Sequence, residues 1–377
     1  MVEFIFWACV VAATYSYFWY PALLMVLPSR KMAPSISNEP VRRVAIIIAA
    51  RNEAAKISAK LDNTLALDRA NVELDVIVAS DASDDATDDV VRTRESQGVR
   101  LVRSHVREGK EYAQGLAIAA TDADVIVFTD VGTILPADAI THLLAAFSNP
   151  GVGAVSSVDR FIAENGSLEG EGAYVRYEMW LRDLETRFFS LVGLSGSFFA
   201  ARRRVCQQWD NRIPSDFGTA LNCARLGMRA ISDREVVGYY KNLADPSKEY
   251  RRKVRTVMRG MNGLLVRREV LDFCKYGRFA FQLFSHKVMR WAAPWFLIGA
   301  MCANILLAPS SRAWQALLIA QAAMYISPLA SSLVPALRRI GVIRICVYFV
   351  EVNAAMFHAA VLVLSGRTML VWEPSRR

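Results

Sequence analysis

The sequence predicts an α/β domain built on a mostly parallel sheet and joined to hydrophobic helices that cross a membrane. Two patterns predict this. Short β-branched runs alternate with helical stretches between about residues 44 and 128, and apolar runs of membrane-spanning length stand before and after that region. Composition agrees, because 53% of the 377 residues are hydrophobic and mean hydropathy is positive. A soluble chain of this size is usually less apolar.

Phe4 to Leu27 is one apolar run without a charge, long enough to cross a bilayer as a helix. A cleavable signal peptide is the alternative reading. The run has no basic segment before it and no small-x-small site after it, and Arg30-Lys31 follow instead. A retained anchor over residues 1–30 is therefore expected, with its C-terminal end in the cytoplasm. Residues 31–43 read as a linker. A soluble-looking region over residues 44–270 opens with the β-branched run Val44 to Ala50, followed by a helix starting near Asn52. Leu74 to Ala79, Val99 to Val102 and Asp124 to Phe128 read as further buried strands, with helices from about Ala86 and after Gly109 between them. In such sheets ligands bind beyond the C-terminal strand ends. Arg51-Asn52-Glu53, Ser80-Asp81 and Asp130 fall at those ends.

Residues 271–290 suit a helix lying in the membrane interface, with aromatics and Leu on one face and His286, Lys287 and Arg290 among the others. Residues 291–377 hold three more apolar runs, Trp291 to Leu307, Ala313 to Leu333 and Ile343 to Leu364, and a tail. Lys287 and Arg290, and Arg338, Arg339 and Arg344, lie where a cytoplasmic α/β domain would put them. Three full crossings would place Arg367, Arg376 and Arg377 outside, against the positive-inside bias, so the side of the tail stays open.

The net charge of +9 comes from 45 basic and 36 acidic side chains. The basic residues cluster beside apolar segments and form no stripe with interleaved aromatics. Membrane surface and phosphorylated ligands are therefore expected as partners, and nucleic acid is not. The six cysteines lack zinc spacing and read as small buried residues of a reducing compartment. Glu351 is the one charged residue in the middle of an apolar run, which disfavours a transporter.

Several short motifs occur in a fixed order: Ala49-Ala-Arg-Asn-Glu53, Ser80-Asp-Ala-Ser-Asp84, Gly109-Lys110, Phe128-Thr-Asp130, Ser195-Gly-Ser-Phe-Phe-Ala200, Ser215-Asp216 and Arg252-Lys-Val-Arg255. Each alone is weak, and their order over roughly residues 44–290 is strong. The set resembles the inverting family 2 glycosyltransferases of the GT-A fold, which include cellulose-synthase-like and exopolysaccharide transferases.

The resemblance implies roles for these residues. Ala50, Arg51 and Glu53 would line the uridine pocket, although Asn52-Glu53 alone reads as a helix start. Asp81 would accept a hydrogen bond from the uracil ring; by itself it is a turn residue. The usual pattern has Asp at both positions, and Ser80 replaces the first. Lys110 would lie near the donor. Sugar transfer must stabilise a departing diphosphate, which a divalent metal on carboxylates commonly does. Asp130 would hold Mg²⁺ or Mn²⁺, but the family's Asp-x-Asp reads Asp130-Val131-Gly132 here, so the second carboxylate is missing.

Inverting transfer also needs one carboxylate to take the acceptor proton. Asp216 is that candidate, where the family has Glu-Asp at a helix start; Ser215 or Asp216 is equally a good N-cap. Ser195, Gly196 and Ser197 match the segment that shapes the acceptor pocket. Arg252 and Arg255, three apart, share a helix face and could clamp the diphosphate, or simply form a basic interfacial helix. They stand where processive synthases have Gln-x-x-Arg-Trp, and Thr256 in place of the Trp argues against a long-polymer synthase.

The expectation is a multi-pass protein of the cell inner (plasma) membrane with a cytoplasmic catalytic domain. It would transfer a sugar from a nucleotide sugar, a UDP-sugar by the resemblance, to a saccharide or lipid-linked acceptor in cell-surface polysaccharide synthesis. Other polysaccharide assembly proteins are expected partners. A polyprenyl-phosphate monosaccharide transferase and an inactive scaffold that keeps the fold are the alternatives.

Overall fold

The computed structural model describes residues 1–29, 41–162, 173–241 and 246–367. Most of the expected linker, Arg30, Lys31, Arg376 and Arg377 lie outside the described residues. Among the described residues, contacts divide the chain into one unit of 1–26, 246–262 and 283–367 and another of 27–29, 41–162, 173–241 and 263–282.

The second unit is built on an eight-stranded sheet in the order β3-β2-β1-β4-β7-β6-β8-β5. Its strands are β1 (Arg43–Ala50), β2 (Glu73–Ser80), β3 (Val99–Arg103), β4 (Val125–Asp130), β5 (Thr133–Ile134), β6 (Val152–Ile162), β7 (Phe198–Arg202) and β8 (Arg229–Lys241). β1 pairs in parallel with β2 and β4, and β2 with β3. These are the four strands expected from the β-branched runs. The far half is mixed: β7 runs antiparallel to β4 and β6, β6 is parallel to β8, and β5 is antiparallel to β8.

Buried strands need apolar residues on both faces. Ile46 and Ile48 of β1 pack with Ile57 and Leu61 of helix Ala54–Leu65 on one face. Ile47 and Ile77 pack with Ala113 and Ala117 of helix Lys110–Ala119 on the other. Burying each such aliphatic side chain contributes roughly 1.5–3 kcal/mol. That layering holds the β1, β2 and β4 C-terminal ends in one row, with Ala49 opposite both Ala79 and Asp130.

The first unit carries helices Val2–Thr14, Tyr20–Val26, Met289–Leu307, Arg312–Leu333 and Gly341–Leu364. Among the described residues, four stretches are long and apolar enough to cross a membrane: Val2–Val26, Phe273–Ser310, Arg312–Leu333 and Gly341–Leu364. The second of these takes in most of the segment expected to lie in the interface. It runs from helix Phe273–Leu283 through a π-helical turn, Phe284–Val288, into Met289–Leu307. Its 38 residues exceed what a span needs, and Gly277 breaks the helix near its start with φ 46°.

Trp7, Phe18, Trp295, Ile319, Leu329 and Ile345 lie exposed on this unit, a surface that suits lipid. Inside, Phe6 meets Trp314 edge-on at 5.2 Å. Asn304 Nδ2 donates to Gln321 Oε1, and Tyr325 Oη donates to the Leu297 carbonyl, so polar contacts tie neighbouring helices. Glu351 has Arg338 at 3.9 Å. Helix Pro246–Val266 joins the unit through Val254 and Met258 packed with Ala355 and Ala359, and Lys253 sits over the Tyr348 ring.

Candidate functional site

The ends of β1 and β2 are laced together by the loops that follow them. Asp81 N donates to the Ala50 carbonyl. The buried Arg51 guanidinium donates to the carbonyls of Asp81 and Ala82, both at 2.6 Å, so this cation braces the loop after β2. Asn52 takes a left-handed φ of 53°, which Asn tolerates, and its Oδ1 accepts from Asp84 N. Glu53 N donates to Thr87 Oγ1. Ser80, which replaces the family's Asp, is fully buried and donates to Asp88 Oδ1 at 2.6 Å. Arg103 pairs with the same Asp88.

Asp81 is 1% exposed. Its Oδ1 accepts from the backbone N–H groups of Glu108 and Gly109, each at 3.0 Å, while its Oδ2 is buried with no partner. A buried carboxylate oxygen without a donor costs about 1–3 kcal/mol or more. Gly109 has φ 102°, a conformation open to glycine, and this directs its N–H to Asp81.

The next residue begins the other half of the site. Lys110 Nζ lies 2.6 Å from Asp130 Oδ1 and 3.0 Å from the Gly196 carbonyl. Asp130 N in turn donates to the Ser197 carbonyl, which fixes the end of β4 against the 195–197 segment. Asp216, in the first turn of helix Ser215–Arg225, also lies beside Gly196. A methyl group added at Gly196 would stand 3.5 Å from Asp216 Oδ2. Gly196 thus meets both the Lys110 ammonium and the Asp216 carboxylate, and one path of contacts runs from Asp81 through Gly109, Lys110 and Gly196 to Asp216.

Sequence reasoning missed Lys60. It is 3% exposed and donates to Thr129 Oγ1 at 3.0 Å and the Thr133 carbonyl at 2.6 Å, pinning both sides of the Asp130-Val131-Gly132 turn. Burial pulls its pKa down to about 7, partly opposed by the Asp130 charge. The folded pKa is below the ordinary lysine value, so the unfolded chain holds more protons between about pH 7 and pH 10.5, and stability contributed at this site rises with pH across that window. Against Lys60→Met, wild-type thermal stability in detergent should gain steadily from pH 7 to 10 and keep a constant offset below pH 7. A pH-independent offset throughout would show that Lys60 does not titrate there.

Of the expected site residues, the structure brings Ala50, Arg51, Glu53, Asp81, Lys110, Asp130, Ser195, Gly196, Ser197 and Asp216 together in one unit. Arg252 and Arg255 are half-buried on helix Pro246–Val266 and fall by contacts in the other unit. Among the described residues no group of three or more His, Cys, Asp or Glu could hold a metal.

Residues 45–209 match the family model described as Glycosyl transferase family 2. A beta-monoglucosyldiacylglycerol synthase of Trichormus variabilis is 26% identical over 183 residues, covering 46% of this chain and 39% of that protein. An N-acetylglucosaminyltransferase of Bradyrhizobium diazoefficiens is 29% identical over 135 residues, covering 32% of this chain and 27% of that protein. The chain thus spans well under half the length of these curated relatives. In fold it is similar to a solved mannosyltransferase from Pyrobaculum calidifontis in complex with GDP-Man and Mn²⁺, with a TM-score of 0.74 and 24% identity over 97% of this chain and 100% of that one.

Proposed function

We propose that this chain transfers a sugar, with inversion, from a UDP-sugar to a hydroxyl of a saccharide or lipid-linked acceptor. The observation that carries the reading is Gly196, with the Lys110–Asp130 pair on its carbonyl and the Asp216 carboxylate against its α-carbon. Donor diphosphate and acceptor hydroxyl can then meet across one residue. Asp216 takes the hydroxyl proton while the acceptor oxygen attacks the anomeric carbon, and the bond from that carbon to the diphosphate breaks on the opposite face. The Lys110 ammonium offsets charge developing on the leaving diphosphate.

Mg²⁺ or Mn²⁺ fits beside Asp130 as a partly donor-built site. Asp130 supplies one carboxylate, whose Oδ2 receives no hydrogen bond among the described residues, and the diphosphate would supply further ligands. When bound, the ion would add Lewis-acid stabilisation of the leaving group. The assignment of Arg252 and Arg255 to the diphosphate rests on motif order alone.

The uracil preference is supported by Asp81. With Oδ1 occupied, one buried oxygen is left to accept, which suits uracil's single ring N–H better than the paired N–H groups of guanine. Asp81→Asn should weaken UDP binding about 10-fold or more in a calorimetric titration, because the amide must present a donor or lose an acceptor. Equal affinity of wild type for UDP and GDP would argue against the assignment.

The apolar helices and the flanking Arg338, Arg339 and Arg344 support a plasma-membrane protein with its catalytic domain in the cytoplasm, within a polysaccharide assembly. The deciding experiment incubates purified protein in detergent with UDP- and GDP-sugars, Mg²⁺ or Mn²⁺ and a membrane lipid extract, and measures released nucleotide. Release from no donor would count against transfer.

A further inference from the structure

A second carboxylate stands beside the segment expected to shape the acceptor pocket. Asp159 on β6 accepts through Oδ1 from Ser195 Oγ at 2.6 Å and from Ser157 Oγ at 3.2 Å. Ser195 N donates to Ser156 Oγ at 2.8 Å, and Arg182 donates to the same oxygen at 3.0 Å. Ser156, Ser157 and Ser195 are buried, so this bracket is rigid. Asp159 itself is only half-buried, and among the described residues no cation pairs with it. Burial, then the Asp159 charge and a hydrogen bond with Asp159, push the neighbouring Tyr240 phenol far above its ordinary value, with Ser195 and the Arg182 charge opposing. Beyond Ser156 the register of β6 against β8 shifts, which re-aims the strand where Asp159 sits.

We infer that Asp159 is an acceptor-binding residue, and that the acceptor is a neutral, hydroxyl-bearing glycoside rather than a phosphate. The inference rests on the transferase reading above. Asp159 and Asp216 both meet the Ser195-Gly196 dipeptide, the first bonded to Ser195 and the second beside Gly196. Two carboxylates there repel an anionic nucleophile and accept hydrogen bonds from sugar hydroxyls. Oδ1 accepts from two serine hydroxyls and the Tyr240 phenol lies against the same carboxylate, yet Asp159 stays half-exposed, so the carboxylate can also accept from an acceptor hydroxyl. Asp159 thus orients the acceptor that Asp216 deprotonates. This separates a saccharide-extending enzyme from one that loads polyprenyl phosphate.

The test uses the detergent-purified full chain, the donor it hydrolyses best, and two acceptor probes: alkyl glycosides (octyl glucoside and octyl mannoside) and dolichyl phosphate. Transfer should go to a glycoside and not to the phosphate. Asp159→Asn keeps the shape and can still accept from Ser195. It should raise the glycoside KM about 10-fold with kcat little changed, the loss expected for weakening one charge-assisted hydrogen bond. UDP binding should stay at the wild-type level. Ser195→Ala should reproduce the KM effect in part, by freeing Asp159 to turn. Preferred transfer to dolichyl phosphate, or an Asp159→Asn enzyme with unchanged glycoside KM, overturns the inference while leaving the transferase reading intact. Donor hydrolysis with no transfer to any glycoside also overturns it. A wild type inert toward every nucleotide sugar removes the transferase reading and this inference together.

Discussion

Asp216→Asn should lower sugar transfer by about 10²- to 10⁴-fold, the range that a positioned general base contributes. UDP binding should be retained, because Asp216 meets Gly196 and makes no hydrogen bond to Lys110 or Asp130 among the described residues. Folding should be retained too. Asn fits the same first-turn position of helix Ser215–Arg225, where the acid's favourable interaction with the helix N-terminus is worth about 0.3–1 kcal/mol. Single-turnover transfer and UDP calorimetry on the same preparation separate the two effects. An Asp216→Asn protein that transfers at wild-type rate would leave the reaction without this base, and a cellular role surviving the substitution would favour the scaffold reading.

The ease of reading this chain varied with how local each signal was. β1, β2, β3 and β4 are buried parallel strands, and such strands read as unbroken runs such as Ile46-Ile47-Ile48. β6 carries Ser156, Ser157 and Asp159, and β8 carries Ser232-Asp-Arg-Glu235 where its pairing to β6 shifts, so neither shows an apolar run. Their places depend on partners far away in sequence. The same divide runs through the site. Asp81, Asp130 and Asp216 stand in motifs whose order is visible, and the structure adds what each touches.

Lys60 left a signal that could have been used. Ile57, Lys60, Leu61 and Thr64 share the buried face of one helix, and a lysine on such a stripe asks for a buried partner. Asp159 left none, because nothing nearby in the chain announces that Ser195 will donate to it. Arg51 shows a third case. The motif order suggests a place at the nucleotide, and the structure shows its guanidinium donating to the carbonyls of Asp81 and Ala82, which braces the loop after β2.

Asp130→Asn should abolish the Mn²⁺ enhancement of UDP binding and reduce transfer at least as far as Asp216→Asn does. The carboxylate has two jobs that an amide cannot share. It is the partner of Lys110, within a half-buried pair, and it is the one protein carboxylate at the place where the family motif would bind a cation. Removing one member of such a pair leaves the ammonium uncompensated, so some loss of thermal stability should accompany the loss of activity. Metal binding can be read without turnover, by titrating Mn²⁺ into the protein–UDP complex and following its electron paramagnetic resonance signal. Gly132→Asp supplies the opposite perturbation. Gly132 is exposed, and an acid there restores the second carboxylate of Asp-x-Asp, so Mn²⁺ should bind several-fold more tightly. If Asp130→Asn keeps the Mn²⁺ enhancement and Gly132→Asp leaves it unchanged, the cation does not sit at this strand end. The charge of the departing diphosphate then falls to Lys110.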